Sequence, residues 1–243
     1  MGDGGLSSSI SLNNNLVSLV GMECGMESVR SLHEIRDRLF TGVLSDILDS
    51  MGRPGQTGSA GLVQVVYGAK IVGRAQTARA VPVTTPLGEP YALLLAAIEA
   101  TGPGRVLVIG APETCTSALF GGLLATAVTV AGGEGAVVDG FARDAAEIRQ
   151  TGLPTAVRGF RPLDSFARDE VVEISGPVMI DGVLVHQNDL VFADEDGLVF
   201  IPSDIEAAVI EEALTKVDKE SGMRTDLEHG MPATTAFAKY GVL

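Results

Sequence analysis

The chain has 243 residues, 46% of them hydrophobic and 20% charged, with a formal net charge of −14. That length and apolar content give a globular protein with a sizeable core. The acidic balance excludes a sequence-independent nucleic-acid binder and disfavours an anionic membrane surface.

The two cysteines, Cys24 and Cys115, are far apart and form no CxxC, so neither a disulfide framework nor a thiolate metal site is expected. No Lys or Arg precedes Arg30, so the basic n-region of a secretory signal is missing. No apolar run reaches the roughly 18–20 residues that a membrane span needs. A cytoplasmic protein is the expectation.

Residues 1–27 are rich in Gly, Ser and Asn and read as a flexible tail, with a short strand at 16–20. The remainder, 28–243, reads as one domain. Ser31 with Glu34 three residues on is a capping box, which starts a helix over SLHEIRDRLF. His33 and Asp46 read as solvated helix residues. A second helix follows Thr41, with Val43, Leu44, Ile47 and Leu48 at helical spacing and Gly52 at its end.

Strand-like runs occupy 62–67, 69–81 and 105–110, with a helix over 89–101 between the last two. Arg79 in the second run reads as salt-bridged or pocket-lining. Lys70 beside apolar strand residues gives only weak support for a Schiff base. Next come a helix opened by Gly121-Gly122 and closed by Gly132-Gly133, the buried strand AVVDG, and a helix after Asp144 ending at Gly152. A parallel strand over 153–159 completes an α/β unit. Short strands fill 170–202, with tight turns at Asp181-Gly182 and Asp196-Gly197. A long charged helix spans 204–230, with Gly222 as a break point, and a short docked segment ends the chain.

Chemistry concentrates between Gly121 and Asp144. A helix N-terminus offers unpaired N–H groups and partial positive charge, and glycine lets a ligand approach them. The amides of Leu123 and Leu124 are therefore candidates for a carboxylate or phosphate. The glycine pair equally suits a tight loop. Asp144 with Glu147 is a capping box for the next helix. It also lies at the carboxyl edge of a parallel strand, where α/β sheets bind ligands. One carboxylate with waters and a chelating substrate is a common way to hold Mg²⁺, and Arg143 beside it can pair with a ligand oxygen. Asp139 reads as a turn residue. The three histidines, His33, His186 and His229, show no ligand spacing.

The stretch GGLLATA…GGEGAVVDGFARD resembles the signature of the RraA-like family, which includes class II 4-hydroxy-4-methyl-2-oxoglutarate/4-carboxy-4-hydroxy-2-oxoadipate aldolases. LSDILDSMG, GRAQTARAV, GLPTAVRG and ADEDGLVFIP extend the likeness from about residue 35 to the C-terminus. The resemblance implies an α/β/α swivelling-type domain with a mixed sheet and a C-terminal helix. It also implies assembly as a homotrimer or a pair of trimers, with sites between subunits. Carried over by position, Asp144 is the ligand of Mg²⁺ or Mn²⁺ and Arg143 binds the keto oxygen of a pyruvate-like group. Gly121, Gly122, Leu123 and Leu124 present backbone to its carboxylate. Glu220 of a neighbouring subunit reaches the metal through water.

The implied activity is a lyase acting on a small 2-keto acid, by retro-aldol cleavage or oxaloacetate decarboxylation, with release of pyruvate. The aldolases carry an acidic residue where this chain has Gly122. The family also includes regulators that bind ribonuclease E and lack the metal aspartate. A different lyase chemistry on the same metal site and a non-catalytic adaptor are therefore the alternative readings.

Overall fold

The structure is a computed structural model that describes Met1 and residues 31–242. The N-terminal tail, and the strand expected at 16–20, lie outside the described residues.

Helix α1 (Leu32–Arg38) begins where the capping box predicts, with the Ser31 hydroxyl accepting the Glu34 amide at 3.1 Å. Lys70 donates to the carbonyls of Arg36 and Leu39 at 2.8 and 2.9 Å. Its ammonium thus satisfies carbonyls at the end of α1. Helix α2 (Thr41–Ser50) buries Val43, Leu44, Ile47 and Leu48 on one face.

The strand read over 62–67 shrinks to β1 (Val63–Gln64), an edge strand that pairs antiparallel with β6 (Thr155–Phe160). The long strand β2 (Ile71–Pro82) is the hinge of the sheet. On one side it pairs parallel with β3 (Arg105–Gly110). On the other, its first half pairs with β10 (Leu190–Asp194) and its second half with β7 (Asp169–Ile174), both antiparallel. The parallel run continues through β5 (Gly135–Ala142) to β6, and β11 (Gly197–Ile201) closes the far edge against β10. Among the described residues the sheet has nine strands.

Strand alternation divides the core. Leu107, Ile109, Ala136, Val138 and Val157 face helices α3 (Ala92–Glu99), α4 (Gly122–Ala131) and α5 (Ala145–Thr151). Val72, Leu190 and Phe192 face α1, α2 and α6 (Glu206–Glu228). The opposite face, with Val106, Val108, Val137 and Val191, is covered by the hairpin β8 (Val178–Ile180)–β9 (Val183–Val185). That hairpin turns at Asp181 (φ 47°) and Gly182 (φ 89°), the left-handed pair that an Asp-Gly hairpin turn requires. The second Asp-Gly acts differently. Gly197 is already paired with Asp194, at φ 150°, so the turn residues are Glu195 and Asp196.

Gly222 does not break α6, which runs unbroken from Glu206 to Glu228. A Cβ on Gly222 would lie 2.9 Å from Cε1 of Tyr240, in helix α7 (Ala233–Tyr240). The glycine therefore makes room for α7 to dock. Asp226 fastens the contact by accepting from Lys239 at 2.6 Å and from Tyr240 at 2.7 Å.

Candidate active site

The site is built by two parallel strands that end side by side. Strand β4 (Ala118–Phe120), absent from the sequence reading, pairs with β5 so that Ala118 meets Phe141 and Phe120 meets Ala142. The Arg143 amide then donates to the Phe120 carbonyl at 3.0 Å. This register sets Gly121 beside Arg143. A Cβ on Gly121 would lie 3.0 Å from Oδ2 of Asp144 and 3.3 Å from Cγ of Arg143. The three apolar residues Ala118-Leu119-Phe120, all buried, were the available signal for β4. They were too few to read as a strand.

The register of β5 against β6 shifts between Val138 and Phe141, next to this corner. Such irregularities re-aim the residues that follow them.

Helix α4 starts at Gly122 with no side-chain cap. The Gly122 amide points at Asp144 Oδ2, 3.4 Å away. The next two amides, of Leu123 and Leu124, are the free donors that a helix start leaves over.

Asp144 departs from one of its two readings. Its side chain makes no capping bond to α5. The reason is its backbone, which sits in the left-handed region at φ 57°, ψ 42°, instead of the extended conformation usual at an N-cap. The carboxylate is thereby turned toward α4. A non-glycine residue held there stores strain of the kind that collects at functional sites.

Arg143 is held from the other side. Its Nη1 lies 3.3 Å from Asp164 Oδ1, while its Nε is 3.7 Å from Asp144 Oδ2. The Tyr91 hydroxyl donates to Asp164 Oδ2 at 3.2 Å. Tyr91 is itself left-handed at φ 63°, a rare conformation for a bulky side chain. Burial, then the Asp164 carboxylate, push the Tyr91 phenol above its usual value, so it remains a donor. Tyr91 and Asp164 escaped the sequence reading because they lie far from Arg143 in the chain.

The donor set suits a hard divalent cation. Mg²⁺ is commonly held by one or two carboxylates, waters and substrate oxygens. Asp144 is exposed, and its contacts with the Gly122 amide and Arg143 are long, so its oxygens are available. Among the described residues no cluster of three or more His, Cys, Asp or Glu could form a closed cage. Glu220 lies elsewhere on α6, where Lys216 Nζ is 3.8 Å from its Oε1.

A cavity of about 730 Å³ lies apart from this corner, lined by Arg79, Gly110, Asp139, Arg158, Met179 and Asp181 among others. Its cations are paired. Arg158 bonds Asp139 at 2.6 Å, and Arg79 bonds Glu173 at 2.8 Å. Asp139 also accepts the Asp181 amide at 2.8 Å, so it ties β5 to the hairpin turn. Arg79 is therefore both salt-bridged and pocket-lining.

The family model described as RraA-like, Aldolase/RraA, matches residues 41–200. The chain belongs to the RraA-like family. The matched stretch runs from α2 to β11 and includes the whole Arg143–Asp144 corner. One RraA-like relative is the 4-hydroxy-4-methyl-2-oxoglutarate aldolase of Thermus thermophilus. It is 32% identical over 134 residues, which cover 55% of this chain and 77% of that protein.

Among solved structures, Streptomyces coelicolor RraAS2 is described as an unusual member of the RNase ES inhibitor RraA protein family. It superposes with a TM-score of 0.72 at 28% identity, covering 80% of this chain and 96% of that one. An uncharacterized protein from Pseudomonas syringae gives the same TM-score at 26% identity, over 84% of this chain and 95% of that one. The RraA-like fold carries the mixed sheet and C-terminal helix that the resemblance implied, with the β8–β9 hairpin as the layer opposite the helices.

Proposed function

We propose that this RraA-like protein is a divalent-metal-dependent lyase acting on a small 2-keto acid. The reaction is retro-aldol cleavage of the 4-hydroxy-4-methyl-2-oxoglutarate type, or decarboxylation of oxaloacetate, and releases pyruvate. One observation carries this reading. Asp144, in a left-handed backbone conformation, turns its carboxylate away from its own helix and toward the open start of α4, beside Arg143. Cation and carboxylate then stand together beside the start of α4.

Each group has a task there. The Leu123 and Leu124 amides receive the substrate carboxylate at the positive end of α4. Arg143 binds the keto oxygen and stabilises the negative charge that develops on it when the carbon–carbon bond breaks. Asp164 and Tyr91 keep the guanidinium aimed. Asp144 would hold Mg²⁺ or Mn²⁺, which would supply Lewis-acid polarisation of the keto group. Both reactions leave a pyruvate enolate, so one charge-stabilising corner serves both. A homotrimer or hexamer would bring Glu220 of a second copy to the metal's water shell.

The test is pyruvate release from oxaloacetate and from 4-hydroxy-4-methyl-2-oxoglutarate, with Mg²⁺ or Mn²⁺ and then with EDTA. Release that needs metal and stops with chelator supports the lyase. Metal binding without pyruvate from either compound points to a different lyase chemistry on the same site. A protein that binds neither ion is the adaptor instead, the reading that the likeness to RraAS2 favours.

A further inference from the structure

Gly122 occupies the first position of α4, where its backbone is helical and needs no glycine. Alanine there would avoid the entropic cost of glycine. The reason for glycine is space, and a carboxylate fills that space. A Cβ on Gly122 would lie 2.7 Å from Cβ of Glu147 and 3.1 Å from its Cδ, with Oε2 nearer still. No side chain fits at 122 while Glu147 stays where it is. Glu147 belongs to the first turn of α5, three residues beyond Asp144, and is exposed. It has no hydrogen-bond or ion-pair partner among the described residues. Two carboxylates, from Asp144 and Glu147, thus flank the dipeptide Gly121-Gly122, one against each glycine. Only Asp144 is in reach of an α4 amide and of Arg143.

We infer that Glu147 is the general base of the carbon–carbon cleavage, placed over the start of α4 by the missing side chain of Gly122. The inference rests on the lyase reading above. Retro-aldol cleavage needs a base at the substrate's C4 hydroxyl. The Glu147 carboxylate takes that proton, the O–H pair becomes the new carbonyl, and the C3–C4 bond breaks. Its electron pair passes into the enolate whose oxygen Arg143 faces. C3 then takes a proton from solvent, and Glu147 releases its own to solvent, so protons balance. Decarboxylation of oxaloacetate breaks a bond to a carboxylate and needs no such base.

That asymmetry gives the test. Wild-type protein, Glu147→Gln and Glu147→Asp are assayed with Mn²⁺ on both substrates, and Mn²⁺ binding is measured by calorimetry. Glu147→Gln is expected to lower retro-aldol kcat roughly 100-fold or more, the usual share of a positioned base. Decarboxylation and Mn²⁺ affinity are expected to stay within about threefold, and Glu147→Asp to recover part of the retro-aldol rate. Equal losses on both substrates would mean a structural role and would overturn the assignment. So would loss of Mn²⁺ binding, which would make Glu147 a metal ligand, or an unchanged retro-aldol rate. If wild-type protein binds Mn²⁺ but cleaves neither compound, the lyase reading fails and takes this one with it.

A readout independent of turnover checks the geometry. Gly122→Asp alone is expected to lower Tm through its clash with Glu147, and Gly122→Asp/Glu147→Ala to recover it. Additive Tm changes would separate the two residues and remove the basis for the placement.

Discussion

The corner at Arg143–Asp144 and the large cavity beside Arg158 are both lined with charge at the carboxyl side of the parallel strands. They differ in how that charge is used. In the cavity, Arg158 and Asp139 satisfy each other at 2.6 Å, with their side chains 23% and 14% exposed. At the corner, Arg143 and Asp144 are each 42% exposed and stand 3.7 Å apart. Size marks the first place and unspent charge the second. The proposed chemistry is assigned to the second, because a pair already neutralised has little left to offer a substrate, while a half-exposed carboxylate and guanidinium remain free to bind one.

Substitutions at the two aspartates sharpen the contrast most. Asp144→Asn is expected to abolish metal binding, measured by calorimetry, and to lower metal-dependent pyruvate release at least about 100-fold. Asparagine tolerates the left-handed backbone, so stability should change by less than about 0.5 kcal/mol. Asp139→Ala should do the reverse. It strands Arg158 in a mostly buried place and is expected to cost about 3 kcal/mol in chemical denaturation, with metal affinity retained. If Asp139→Ala removed metal binding and Asp144→Asn did not, the two places would have to exchange roles.

Asp164→Asn acts on the corner from outside. With the guanidinium less firmly held, KM for the keto acid should rise about tenfold, the scale of one charge-assisted hydrogen bond, at unchanged metal affinity. An unchanged KM would mean that Arg143 is held well enough by its own backbone.

Cys115 tests the protected interior beneath the corner. Burial, then the neighbouring Asp169, push its thiol up to about 12. Alkylation of Cys115 at pH 8 should therefore be negligible in folded protein and rapid in denaturant, as read by mass spectrometry of the modified peptide. Fast labelling of the native protein would show that this part of the core opens.

The smallest effect belongs to the α6–α7 clasp. Hydrogen bonds from Lys239 and Tyr240 hold the Asp226 carboxyl below its usual value. A hydrogen bond to Asp226 raises Lys239. The carboxylate's contribution is thus present above about pH 4 and fades as pH falls through its lower folded value. The lysine's contribution is present below about pH 10.4 and fades as pH rises through its higher folded value. Protection factors of the α7 amides, with the intrinsic pH dependence of exchange divided out, should be largest between these limits and smaller at both extremes. A flat profile would show that packing of Tyr240 on Gly222 alone docks the helix.

The sequence by itself determined the elements whose signals are local. Ser31 and Glu34 fixed the start of α1, Gly132 and Gly152 the ends of α4 and α5, and Asp181-Gly182 the hairpin turn. Periodicity fixed the buried face of α2. The pairing of Arg143 with Asp144 as a candidate site was also legible, because both stand at the end of one apolar strand. Tertiary structure alone decided everything that depends on residues distant in the chain. It aligned β4 with β5 and so put Gly121 beside Arg143. It brought Asp164 to the guanidinium and placed Glu147 against Gly122. It also reversed two local readings. Asp144 looks like a helix cap by spacing, but a left-handed φ aims its carboxylate elsewhere. Gly222 looks like a helix breaker, but packing against Tyr240 supplies its reason. Propensity and spacing describe what a residue does to its own few neighbours; which side of it another strand or helix will occupy is settled only when the sheet closes.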